Sequence, residues 1–132
     1  MNIILDTHTF IWFIEGSSEL SLTARKQIED INNTSYISIA SLWEMSIKYN
    51  LGKLTVKGSS FKTLMDDINI NGFQILNINF LHLVENVNLD SHHRDPFDRL
   101  IIAQAIIEDM SIIGRDVIFD NYLKGKNVKR VW

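Results

Sequence analysis

Asp95-Pro96-Phe97-Asp98-Arg99-Leu100-Ile101-Ile102-Ala103-Gln104-Ala105-Ile106-Ile107 is the stretch whose reading decides the fold. Asp is favoured at a helix cap and Pro at the first helical position, so a helix begins here and the pattern carries it to about Met110. From Leu100 onward this helix is apolar nearly all round, and a helix without a polar face must be deeply buried. Downstream, Ser111-Ile112-Ile113 reads as a short strand, Val117 to Leu123 as a helical turn or two, and Val128 to Val131 as an edge strand. Upstream, Ile3-Ile4-Leu5 is a fully apolar strand stopped by Asp6, and Thr7 to Glu15 is helical with a heavy aromatic load. Ser21 caps a helix over about Thr23 to Ile31, Tyr36-Ile37-Ser38 is a strand, and Ile39 to Asn50 is a helix ending near Gly52. Ser59 or Ser60 caps a helix that runs to about Ile70 and stops at Asn71-Gly72. Phe73 to Ile78 is then a strand, and Asn79 caps a helix from Phe80 to Glu85. Strands separated by helices imply an α/β fold whose central, mostly parallel sheet is covered on both faces.

A chain of 132 residues can bury a real core, and we expect a single domain spanning residues 1–132. The absence of cysteine excludes a disulfide framework, a thiolate zinc site and a cysteine nucleophile, and fits a reducing cytoplasm. The opening residues lack a basic leader segment, and no apolar run reaches the roughly 18 residues a membrane span requires, so we expect a cytoplasmic protein without a membrane partner. The formal net charge of −3 argues against tight passive binding to nucleic acid, but a site of clustered carboxylates can have its local sign reversed by bound cations.

Carboxylates are the chemistry this sequence places oddly. Asp6 directly follows the first strand and Asp116 comes just after Ile112-Ile113, at the carboxyl ends where open parallel sheets gather ligands. Glu44 shares a helical stripe with Ala40, Ile47 and Leu51, and Asp98 lies beside Ile101, Ile102 and Ala105. A carboxylate on an inward face is costly unless it is paired or holds a metal. Together the four make an oxygen-ligand cage suited to a hard divalent cation. Each also has a plain structural reading. Asp95 and Asp98 suit a helix N-terminus, Glu44 can pair with Lys48 one turn on, Asp6 can be a turn residue, and Asp116 can cap the last helix. The histidines at 8, 82, 92 and 93 lack zinc-protease spacing, and Ser38 and Ser41 lack the glycines of a nucleophile elbow. Asp66-Asp67 reads as a solvated helix face.

Leu5-Asp6-Thr7-His8-Thr9-Phe10-Ile11-Trp12, Ser38-Ile39-Ala40-Ser41-Leu42-Trp43-Glu44, Lys48 with Gly52-Lys53-Leu54, and the run from His93 to Ala105 together resemble the PIN-domain family, specifically its VapC-type toxin branch. The close at Asp116, Phe119 and Tyr122 extends the resemblance over nearly the whole chain. The resemblance implies a PIN-like fold and a Mg²⁺- or Mn²⁺-dependent endoribonuclease, with Asp6, Glu44, Asp98 and Asp116 as its acidic site and Thr7 and Asp95 as auxiliary groups. It further implies an RNA substrate, a homodimer, and silencing by a cognate antitoxin protein. Family members commonly carry Thr or Ser two residues before the last acidic position, whereas this chain has Gly114. Lys48, Lys53, Arg94 and Arg99 are the expected phosphate contacts. The other readings are a housekeeping PIN-type nuclease of RNA maturation or decay, and a non-catalytic module whose carboxylates are caps and bridges.

Overall fold

The first strand, β1 (Asn2–Leu5), sends Ile3 and Leu5 to one face of a sheet and Ile4 to the other, and all three are essentially inaccessible to solvent. A strand buried on both faces has no polar alternation, which is why its sequence is an unbroken apolar run. The computed structural model describes residues 1–92 and 95–132, so the expectations placed on His93 and Arg94 lie outside the described residues. The other strands are β2 (Thr34–Ser38), β3 (Gln74–Leu76), β4 (Ser111–Ile113) and β5 (Arg130–Val131). Among the described residues they form one wholly parallel sheet in the order β3-β2-β1-β4-β5. The chain winds outward from β1 to β3 and then crosses back to place β4 on the other side of β1. The order therefore reverses between β1 and β4, the position at which such sheets open a crevice beyond their carboxyl ends.

Helices α1 (Thr7–Glu15), α2 (Leu22–Glu29), α3 (Ile39–Asn50) and α4 (Leu64–Ile70) cover one face; Phe10, Ala24, Met45 and Leu64 pack with Ile3, Leu5, Ile37 and Ile113. The second face holds α6 (Pro96–Ile107) and α7 (Phe119–Leu123), whose Ile101, Ile102, Ala105 and Phe119 pack on Ile4 and Ile112. Helix α5 (Phe80–Asn88) lies against α6 and leaves Phe80, Leu81, Val84 and Val87 exposed. The fold is thus the α/β arrangement expected, a parallel sheet between helical layers.

Several boundaries differ from the sequence reading for identifiable reasons. Helix α6 stops at Ile107, not Met110, because Asp109 takes a left-handed conformation (φ 56°) and the Met110 N–H closes back on the Ala105 carbonyl at 2.9 Å. Helix α4 begins after Thr63; Ser60 is spent in a turn with Thr63, and the Ser59 hydroxyl donates to Asp67, so neither serine caps the helix. Helix α5 runs on to Asn88 from an Asn79 cap in which His82 answers reciprocally, its Nδ1 accepting the Asn79 N–H at 3.1 Å. The edge strands are shorter than expected. Beside β5, Arg130 is held by a two-pronged pair with Asp120, both contacts at 3.0 Å. No helix among the described residues is long and apolar enough to cross a membrane.

Candidate active site

Asp6 ends β1 and begins α1. Its extended backbone (φ −71°, ψ 167°) is that of an N-cap, and its Oδ1 accepts the Thr9 N–H at 2.8 Å. Asp6 is therefore a helix cap, where the plain structural reading had only a turn residue after a strand. The cap does not account for the second oxygen. Gly114, at the end of β4, comes so close that a Cβ there would lie 2.8 Å from Asp6 Oδ2 and 3.0 Å from the Phe119 ring. The glycine is what leaves space for this carboxylate, and a hydroxyl-bearing side chain does not fit beside it in this geometry. Burial pushes the Asp6 carboxyl above the ordinary range, against the pull of the Thr9 bond and of His8, and Asp116 pushes it further up.

Glu44 is 5% exposed on the inner side of α3. The stripe that predicted its burial is only partly real, because Ile47 and Leu51 are 39% and 58% exposed. What encloses Glu44 is polar: Thr7 Oγ1 donates to Oε1 at 2.8 Å with Ser41 Oγ 2.9 Å from the same hydroxyl, and Lys48 Nζ donates to Oε2 at 2.8 Å. The expected Glu44–Lys48 pair therefore forms with its acid buried, which is not the ordinary surface bridge.

Asp98 stands in the first turn of α6, where its own N–H and that of Phe97 bond to Asp95 Oδ1 at 3.2 and 2.9 Å. The carboxyl of Asp98 is pushed up to about 8 from the ordinary 3.8, first by burial and then by the charges of Asp95, Asp6, Glu44 and Asp116. The charges acting on Asp98 thus come from carboxylates at the cap of α6, at the end of β1, on α3 and in the turn before α7. Asp116, in the turn before α7, accepts the Ile118 N–H at 2.9 Å and lines a cavity of about 400 Å³ with Asp6, His8, Trp12, Arg115 and Val117.

The donor chemistry fits a hard divalent cation, since the side chains present are oxygens whose mutual repulsion a cation would relieve. Among the described residues, however, no group of three or more His, Asp or Glu side chains is drawn to metal-ligand spacing. Of the expected phosphate contacts, Lys48 is committed to Glu44 and Lys53 is exposed after α3. Arg99 has another task, bonding the carbonyls of Asn86, Leu89 and Asp90 at the end of α5 and the Tyr122 hydroxyl at 2.7 to 3.4 Å. His82 is fully buried and bonds Glu108 through Nε2 at 2.7 Å, a structural role. Sequence reasoning missed the Thr7–Ser41 bond and the Trp12–Arg115 contact beside Asp116. Thr7 itself was expected as an auxiliary group, but not its partners on α3; nothing local signals the Trp12–Arg115 contact.

The family model described as PIN domain matches residues 3–124. Among solved structures, a chain of VapBC2 from Rickettsia felis, bound to a DNA fragment from their promoter, is similar with a TM-score of 0.69 at 18% identity, over 100% of this chain and 99% of that one. A chain of FitAcB from Neisseria gonorrhoeae is similar with a TM-score of 0.62 at 14% identity, over 100% of this chain and 97% of that one. None of the curated proteins compared with the chain matches it. A match over nearly the whole length, on a parallel sheet with acids at its switch point, has one meaning: the chain belongs to the PIN domain family, whose members are generally nucleases.

Proposed function

We propose that this protein is a metal-dependent endoribonuclease, the toxin of a toxin–antitoxin pair, with Asp6, Glu44, Asp98 and Asp116 holding Mg²⁺ or Mn²⁺. The observation that carries the reading is the cavity that Asp6 and Asp116 line together at the β1–β4 switch point, beside which burial first, and then the charges of Asp95, Asp6, Glu44 and Asp116, hold Asp98 up at about 8. A protein gains no stability from such a cluster; a site for a divalent cation needs it. A cation held by Asp6, Glu44, Asp98 and Asp116 would supply the Lewis acidity that makes water a better nucleophile toward a phosphodiester and offsets charge on the leaving oxygen. The chain's own groups set the geometry. Thr9 fixes one oxygen of Asp6, Thr7 and Lys48 fix both oxygens of Glu44, and Gly114 keeps the space around Asp6 open. RNA as the substrate and an antitoxin as the partner rest on the resemblance to VapC-type toxins and on the likeness to VapBC2. The exposed apolar residues of α5 support a homodimer, since a second copy would cover them. A cytoplasmic site of action fits the absence of cysteine.

The capping role of Asp6 favours one rival, a non-catalytic module, although Asp116 bonds the Ile118 N–H in the turn before α7 and does not cap that helix as expected; a direct assay separates the two readings. Purified wild type is expected to cleave single-stranded RNA with Mg²⁺ or Mn²⁺ and to stop with a chelator. Asp6→Asn, which keeps the cap, is expected to lose roughly a thousandfold in rate and to relieve growth arrest on induced expression. Metal-independent cleavage, or full activity of Asp6→Asn, would overturn the proposal. Cleavage without growth arrest would instead favour the housekeeping nuclease.

A further inference from the structure

The cavity that contains Asp6 and Asp116 is acidic at one end and aromatic at the other. Trp12, half-buried on α1, is the centre of the aromatic end. The Arg115 guanidinium carbon sits 4.6 Å above its ring, the exposed His8 imidazole lies 5.7 Å away at a tilt of 40°, and Trp132 lies 5.8 Å away. Arg115 is itself steered by Glu19, 2.8 Å from it across the loop after α1, while remaining 55% exposed. The cavity, at about 400 Å³, falls within the size of small-ligand sites, roughly 300–1,000 Å³.

A core does not need this arrangement. Trp12 packs against the first core, yet it also carries a cation over its ring and an imidazole beside it, and His8, Trp12 and Arg115 together line open space. Flat, polarisable surfaces with a guanidinium among them are what proteins use to hold an unstacked base, because every base offers a π-face. We infer that His8, Trp12 and Arg115 form a nucleobase-stacking subsite, which takes the base of a nucleotide flanking the scissile phosphate of single-stranded RNA. The inference rests on the ribonuclease reading for its substrate and goes beyond it in assigning recognition to residues outside the acidic set. The subsite holds the substrate strand in register over the carboxylates and gives the enzyme a contact that double-stranded RNA, with its bases stacked, cannot make.

The test is a cycle between protein and substrate. Wild type, Trp12→Ala, Trp12→Phe and Arg115→Gln, each checked for folding by thermal melt, are assayed on short single-stranded RNAs carrying an abasic nucleotide at successive positions around the cut. Removing the base at one position is expected to lower wild-type kcat/KM about tenfold, the scale of one stacked base. Trp12→Ala is expected to show a similar loss on intact RNA and none further on that abasic RNA, with Trp12→Phe retaining most activity and Arg115→Gln falling between. If folded Trp12→Ala cuts intact RNA as fast as wild type, or loses equally on every abasic substrate, the subsite does not exist. Should wild type cut no RNA at all, the ribonuclease reading fails, and a binding arm still decides the subsite. In that arm, metal-free Asp6→Asn titrated with the same RNAs is expected to show tryptophan quenching that the further change Trp12→Phe removes. Quenching that survives the change, or no quenching, overturns the inference.

Discussion

The middle of the sheet and its carboxyl end lie two positions apart from Ile4 to Asp6 and four from Ile112 to Asp116, yet they obey opposite energetics. At Ile4 and Ile112 every contact is apolar and each fully buried side chain contributes about 1.5–3 kcal/mol. At Asp6 the first strand runs on into a carboxyl that burial holds above its ordinary pKa, and past β4 the chain comes to Asp116 on the same cavity. The slab of aliphatic side chains makes the protein fold; the acids beyond it cost stability that the slab must supply. A parallel sheet permits this division because its strand ends converge in a crevice, where several elements can each contribute one residue.

The contrast breaks most visibly in the slab. Ile101→Ala is expected to lower stability by about 2–5 kcal/mol in urea denaturation, with metal added or not, since Ile101 is wholly buried against Ile4 and Phe119 in the second core. A smaller loss, about 1–3 kcal/mol, is expected for Gly114→Ser, because its Cβ must displace either the anchored Asp6 or the buried Phe119. Activity should fall with it, as Asp6 moves. Asp98→Asn sharpens the comparison by changing sign. The raised Asp98 pKa means that the native metal-free state keeps a proton the unfolded chain releases, so its stability is fully present below about 4 and is lost as the pH rises to about 8. The amide removes that loss. Metal-free Asp98→Asn should therefore melt like wild type near pH 4 and above it near pH 8, by on the order of 1 kcal/mol after screening by the solvent that reaches this partly exposed carboxyl. Equal melting curves at pH 8 would show that Asp98 is not strained by its neighbours.

The sequence disclosed the slab more fully than the crevice. Ile3-Ile4-Leu5 and the Asp95-Pro96 start of α6 are local signals, legible because burial on both faces and helix capping act on adjacent residues. Even so, Asp109 ended α6 early by adopting a conformation that an aspartate only occasionally takes. Glu44 shows the mixed case. Its burial was expected from a stripe of which Ala40 is buried but Ile47 and Leu51 are exposed, and its carboxylate is enclosed by Thr7, Ser41 and Lys48. Arg99 and Trp12 were illegible for a stronger reason. The partners of Arg99 include backbone carbonyls, which leave no mark on residue identity, and the partner of Trp12 is Arg115, nearly the whole chain away.

The short edges of the sheet carry one more consequence. With only Gln74–Leu76 and Arg130–Val131 at its margins, and Arg130 clamped by Asp120, neither flank offers a long, flat template on which another polypeptide could add as an extra strand. A highly apolar sheet is in this way guarded against fibril growth at both of its margins.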